Sequence, residues 1–128
     1  MKVVMMTASV SRRAGGLFHS VRRLAQETAR VPAVEVNVIS SEDEHTAEDV
    51  RVWDGVQVRL TRVMGPRAFG YAPGIRGALD QVNGDILHCH GLWMFPSVAC
   101  GRWARRRGRP YIISCLLYTS DAADEEDS

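Results

Sequence analysis

No stretch of this sequence approaches the roughly 18 apolar residues that a membrane-spanning helix needs, so nothing in its pattern crosses a bilayer. Its three cysteines, Cys89, Cys100 and Cys115, make no framework of spaced pairs, which excludes a disulfide-stapled scaffold and fits a reducing cytoplasm. It has a single lysine; the other 15 of its 16 basic residues are arginine, a bias that points to a GC-rich coding sequence as much as to binding. It has neither a GxGxxG fingerprint nor a Walker lysine, so neither the dinucleotide nor the P-loop reading applies. No helix-turn-helix and no aromatic stacking platform accompany the arginines, which ranks nucleic acid last among partners. There is no internal repeat. The opening "MKVVMMTASV" lacks a small-residue cleavage site and carries one Lys, so it reads as a buried first strand and not as a signal peptide.

What is present suffices for one domain. A chain of 128 residues with 45% hydrophobic and 24% charged residues buries roughly two-thirds of its unfolded surface. The net charge of +1 conceals an asymmetry. All 16 basic residues but only 10 of the 15 acids precede Cys115, so residues 1–114 carry +6 and the last 14 carry −5.

Lys2 to Ala8 is a near-continuous apolar run, the pattern of a strand covered on both faces of a parallel sheet. A polar loop, "SVSRRAGG", follows from Ser9 to Gly16. Leu17, Val21, Leu24, Ala25 and Thr28 then recur at helical spacing, and Pro32 closes the helix. Strands are expected at Ala33 to Ile39 and Val56 to Val63. Between them, "SSEDEHTAEDV" reads as a solvated loop with a short helix. Further on come a helix from Pro73 to Val82, a strand from Asp85 to His90, a helix from about Met94 to Arg107 and a strand starting at Tyr111 to Ser114. Alternation of this kind predicts an α/β fold, a Rossmann-like parallel sheet with helices on both faces.

Three stretches carry candidate chemistry. Gly15 and Gly16 sit between the first strand and the first helix, where backbone amides approach an anion closely because no Cβ intervenes; taken alone, the pair is better explained by a tight turn without a ligand. In "DILHCHGLWMF", His88 and His90 share one face of a strand, and His90 falls at its carboxyl end, on the edge where open α/β sheets bind ligands. A histidine there anchors a substrate hydroxyl or handles a proton. The alternatives are a packed, hydrogen-bonded pair and, less favoured, an H-x-H metal site; the other histidines and acids show no ligand spacing. In "GRWARRRGRP", Arg102, Arg105, Arg106, Arg107 and Arg109 surround Trp103. They read as a solvated helix end complementing the macrodipole, or as a contact for an anionic membrane surface or phosphorylated substrate.

With these stretches in view, residues 1–114 resemble the start of a GT-B glycosyltransferase of family 4, the group 1 type, found among bacterial enzymes of surface-polysaccharide biosynthesis. The resembling segments are "ASVSRRAGGLFHSVRRLAQ" and "DILHCHGLWMFPSVACGRWARRRGRPYIIS". The resemblance implies an incomplete N-terminal, acceptor-side Rossmann-like domain of a two-domain enzyme. The enzyme would move a sugar from a nucleotide-sugar donor to an acceptor hydroxyl on a saccharide or lipid-linked saccharide. It would work usually with retention, without an obligatory metal and with no cofactor beyond the donor itself. It places Gly15 and Gly16 beside the donor diphosphate and His90 against the transferred sugar as the catalytic candidate, with Arg12, Arg13, His88 and Trp93 as candidate substrate contacts. The implied location is the cytoplasm, or the cytoplasmic face of the inner membrane as a peripheral protein. A free-standing Rossmann-like module that binds a nucleotide or phosphorylated sugar without catalysis is the alternative.

The resemblance stops at Ser114. The family's second half, with its E-x7-E element, does not follow. Instead the tail "CLLYTSDAADEEDS" resembles a translated transposase sequencing adapter, one frame of which reads C-L-L-Y-T-S-D-A-A-D, residue for residue Cys115 to Asp124. Residues 115–128 are therefore expected to be a non-native, disordered tail on a truncated frame, and the chain is expected to be inactive by itself.

Overall fold

The computed structural model describes residues 1–12, 15–62, 74–90 and 95–114. Within them five strands form one wholly parallel sheet in the order β3-β2-β1-β4-β5. The strands are β1 (Lys2–Ser9), β2 (Glu35–Ser41), β3 (Gln57–Thr61), β4 (Ile86–His90) and β5 (Tyr111–Ser114). The helices between them are α1 (Gly16–Ala29), the single turn α2 (Thr46–Asp49) continued by a 3-10 turn at Val50–Val52, α3 (Gly74–Val82) and α4 (Phe95–Arg107). The Rossmann-like α/β fold expected from the alternation is present.

β1 is the central strand, pairing with β2 on one side and β4 on the other. Val3, Val4, Met5, Met6 and Thr7 are all buried, as a strand covered on both faces requires. Its alternate side chains feed two separate cores. Val3 and Met5 pack with Val36 and Val38 under α1, against Val21, Ala25, Val10 and Trp53. Val4 and Met6 pack with Ile39, Leu87 and Cys89 under α3 and α4, against Ile75, Leu79, Val82, Ala99, Cys100 and Trp103.

Two elements depart from the sequence expectation for local reasons. β2 begins at Glu35 and not at Ala33, because Ala33 takes a left-handed backbone (φ 68°) that closes the turn after α1. In that turn the N–H of Val34 donates to Val31 O at 3.1 Å. On α1 the inward face is Phe18, Val21, Ala25 and Ala29, while Leu24 is 40% exposed. One residue along a helix rotates a side chain by about 100°, so Leu24 leaves the stripe that Val21 and Ala25 define. Val63, expected in the third strand, lies outside the described residues.

The close approach of β1 to the α3–β4 connection depends on Gly84. A Cβ built there would overlap Val4 Cγ2, and Val4 is fully buried with no room to yield. Gly84→Ala is therefore expected to cost about 1–3 kcal/mol of stability, as overpacking does. A lowered urea midpoint is the expected reading; an unchanged midpoint would refute this packing account.

Candidate functional site

The strand order reverses between β1 and β4. From β1 the chain passes through α1 to β2 on one side; from β4 it passes through α4, on the opposite face of the sheet, to β5. A crevice opens at the carboxyl ends of strands at such a switch point. The β1–α1 loop with Gly15 and the end of β4 with His90 are brought together at this edge by topology alone.

Gly15 caps α1 with φ 60° and ψ −130°, a conformation that side-chain-bearing residues rarely adopt. Its N–H donates to Arg12 O and its carbonyl accepts from Phe18 N–H, both at 3.0 Å. α1 then starts at Gly16 with no side-chain cap and no acid in its first turn. The positive end of the helix and its first-turn amides are left without a carboxylate of their own.

The loop leading to Gly15 is pinned by the acidic segment between β2 and β3. Asp43 accepts hydrogen bonds from Ser9 Oγ (2.6 Å), Ser11 Oγ (2.7 and 2.8 Å) and the N–H of His45 (2.9 Å). Burial pushes its carboxyl up, yet these hydrogen bonds outweigh burial and hold it below the usual aspartate range. Asp49 receives Arg12 three times: the backbone N–H at 2.8 Å, Nε at 3.0 Å and Nη2 at 2.8 Å. Glu48 takes Nη2 as well, at 2.8 Å. These bonds from Arg12 lower the Asp49 carboxyl to about 2 and raise the guanidinium. Trp53 completes the clamp, its Nε1–H donating to Val10 O at 2.9 Å. "SSEDEHTAEDV" is thus a scaffold as well as a surface. The complement of acids there to the serines and arginines of the β1–α1 loop is the signal in the sequence that could have shown it.

His88 and His90 do share a face of β4, and their rings stack at 4.0 Å with 29° between planes. The packed-pair expectation holds for one of them only. His88, half-buried, has its Nε2 2.6 Å from Ser114 Oγ on β5. His90 is 5% exposed, and neither of its ring nitrogens has a partner among the described residues. Burial, and then the neighbouring His88, push His90 down to about 4, so its ring is neutral at physiological pH. Burial also lowers His88. A neutral imidazole with both nitrogens unclaimed keeps one donor and one acceptor unused within the described structure. Among the described residues no three His, Cys, Asp or Glu side chains gather as metal ligands.

Of the other candidates, Arg12 is held by Glu48 and Asp49, while Arg13 and Trp93 lie outside the described residues. Ser9, Ser11, Asp43, Asp49 and Ser114 are the site-supporting residues that sequence patterns alone did not single out.

A family model described as "Glycosyl transferase 4-like domain" matches residues 15–127. The chain belongs to this family. The matched span runs from the Gly15 cap through both histidines, and it overlaps the tail beyond Ser114, which is outside the described residues. No curated protein matches the glycosyl transferase 4-like chain. Among solved structures it is similar to a crystal structure from Listeria monocytogenes described as a UDP-N-acetylglucosamine 2-epimerase, with 16% identity and a TM-score of 0.57. The match covers 87% of this chain and 30% of that one, so the chain spans under a third of its neighbour's length. That likeness establishes the fold, and the neighbour is a GT-B protein. No described helix of the glycosyl transferase 4-like chain is long and apolar enough to cross a membrane.

Proposed function

We propose that residues 1–114 form the N-terminal, acceptor-side Rossmann-like domain of a GT-B glycosyltransferase that transfers a sugar from a nucleotide-sugar to an acceptor hydroxyl in glycan or exopolysaccharide biosynthesis. The observation that carries the reading is His90: buried, neutral and without hydrogen-bond partners among the described residues, at the switch-point edge of a family-matched domain. The departing nucleoside diphosphate needs charge stabilisation more than a strong nucleophile. The first-turn amides of α1 after Gly15 and Gly16 supply it, and the imidazole of His90 orients the sugar. The Ser9–Ser11–Asp43 and Arg12–Asp49 contacts hold the loop in the geometry this needs.

In this reading no metal or cofactor takes part, and the domain acts only with the nucleotide-holding half of the enzyme. The arginines of α4 rest against the anionic cytoplasmic face of a membrane where a lipid-linked acceptor is presented. That the neighbour is described as acting on UDP-N-acetylglucosamine supports a nucleotide-sugar as the ligand class.

The test is product analysis on the enzyme encoded by the uninterrupted frame, with a panel of nucleotide-sugars and saccharide or lipid-linked acceptors in the presence of EDTA. A glycosylated acceptor with the anomeric configuration of the donor is expected. An epimerised sugar released without any acceptor would sink the proposal. In the same enzyme Gly16→Val is expected to raise the donor KM by about tenfold, the equivalent of one lost backbone hydrogen bond to the phosphate. Unchanged donor kinetics would remove the glycines from the phosphate site.

A further inference from the structure

The basic run of α4 has one feature that the strand-end site does not use. α3 and α4 lie side by side on the sheet face of Val4 and Met6, opposite to the face carrying His88 and His90. Between them is a cleft of about 80 Å³ lined by Arg76, Leu79, Ala99, Arg102, Trp103 and Arg106. Asp80 neutralises part of this charge, taking Arg106 at 2.7 Å and Arg107 at 3.1 Å. Among the described residues, Arg76 and Arg102 stand in no ion pair. Trp103 is 1% exposed, and its indole N–H meets no acceptor among the described residues.

The charged side chains of the lining are therefore guanidinium forks, set over an apolar floor of Leu79, Ala99 and Trp103. Such a surface is complementary to an oxyanion. Its two uncompensated charges match a dianion, which a phosphomonoester is near neutral pH and a carboxylate is not. The volume is roughly that of two or three waters, room for one phosphoryl group.

We propose that this cleft is a phosphoryl-binding subsite, distinct from the strand-end site, in which Arg76 and Arg102 grip the phosphoryl oxygens beside the buried Trp103. It stands whether or not the proposed transfer reaction does. The group comes from a soluble phosphorylated ligand or from a phosphomonoester lipid headgroup.

The test follows the Trp103 indole N–H resonance of the ¹⁵N-labelled full chain, assigned by its loss in Trp103→Phe, while inorganic phosphate is titrated at constant ionic strength. In parallel, vesicles of phosphatidic acid are compared with phosphatidylglycerol vesicles of equal surface charge. Arg76 and Arg102 are exposed, so Arg76→Gln/Arg102→Gln leaves the core intact. A saturable shift with phosphate, weakened at least about tenfold in the double variant by loss of two charge-assisted contacts, supports the subsite and a soluble source. Arginine-dependent capture by phosphatidic acid over phosphatidylglycerol supports the subsite and a headgroup source. An unmoved resonance with no such vesicle preference, or an equal response in the double variant, overturns it.

Discussion

His90→Ala in the enzyme of the uninterrupted frame is expected to lower kcat by about 10²–10³, the range seen when one polar group of a preorganised site is removed. The expectation rests on position and on hydrogen-bond accounting. His90 ends β4 at the edge where the strand order reverses, and its two nitrogens are buried without partners among the described residues. A purely structural histidine in that setting would be hydrogen-bonded, as His88 is near Ser114. Because His90 holds no hydrogen bond within the described structure, its removal takes away packing alone. The stability change is expected to stay within the ordinary range of about 0.5–3 kcal/mol, so the variant still folds. Circular dichroism should be native while turnover collapses. Near-normal turnover in a folded His90→Ala enzyme would remove His90 from the site.

Acid is expected to destabilise the chain in two separate windows. His90 titrates at about 4 when folded and near 6.5 when unfolded, so between those values the unfolded chain binds more protons. Stability is therefore full above about pH 6.5, falls as pH drops towards 4, and levels off for this group below that. A shift of this size corresponds to about 3 kcal/mol at 1.36 kcal/mol per pH unit. His88, lowered by burial, acts in the same direction. Asp43, Asp49 and Asp80 are depressed carboxylates, so their contribution is present above about pH 4 and is lost only as pH falls further. Urea midpoints at pH 7, 6, 5 and 4 should decline steadily, and His90→Phe should flatten most of that decline. A midpoint independent of pH from 7 to 4.5 would show that His90 is not buried neutral in the folded chain.

The sheet was legible in the sequence because burial on both faces writes itself as unbroken apolar runs. Lys2 to Ala8 could be placed nearly to the residue; Tyr111 to Ser114 was placed as closely by its apolar run, although this edge strand leaves Tyr111 and Ile112 exposed. The start of β2 was not so placed, since a left-handed Ala33 is a choice made by the turn and leaves no mark on hydrophobic periodicity; its end runs on two residues past Ile39 to Ser41. On α1, five apolar or near-apolar residues offered two overlapping stripes. The packing of Val21 and Ala25 on Val3, Met5, Val36 and Val38, with Trp53 edge-on against Phe18 at 6.5 Å, decides which faces inward.

For the site, period-2 alternation was enough to put His88 and His90 on one face and His90 at the strand end. It could not say that Ser114 would satisfy one histidine and leave the other without a partner. That depends on the register His90↔Ser114, a pairing across 24 residues of chain. The acidic segment was hardest. Asp43 and Asp49 reach the β1–α1 loop from 32 to 37 positions away, and charge counts alone read them as solvated.

The domain reading stands or falls on the DNA downstream of codon 114 in an independent copy of the gene. The frame is predicted to run on past Ser114 without the Cys115–Ser128 segment, finish the first Rossmann-like domain and enter a second one carrying an E-x7-E element. A stop codon near position 115, or the same "CLLYTSDAADEEDS" tail in an unrelated assembly, would contradict it.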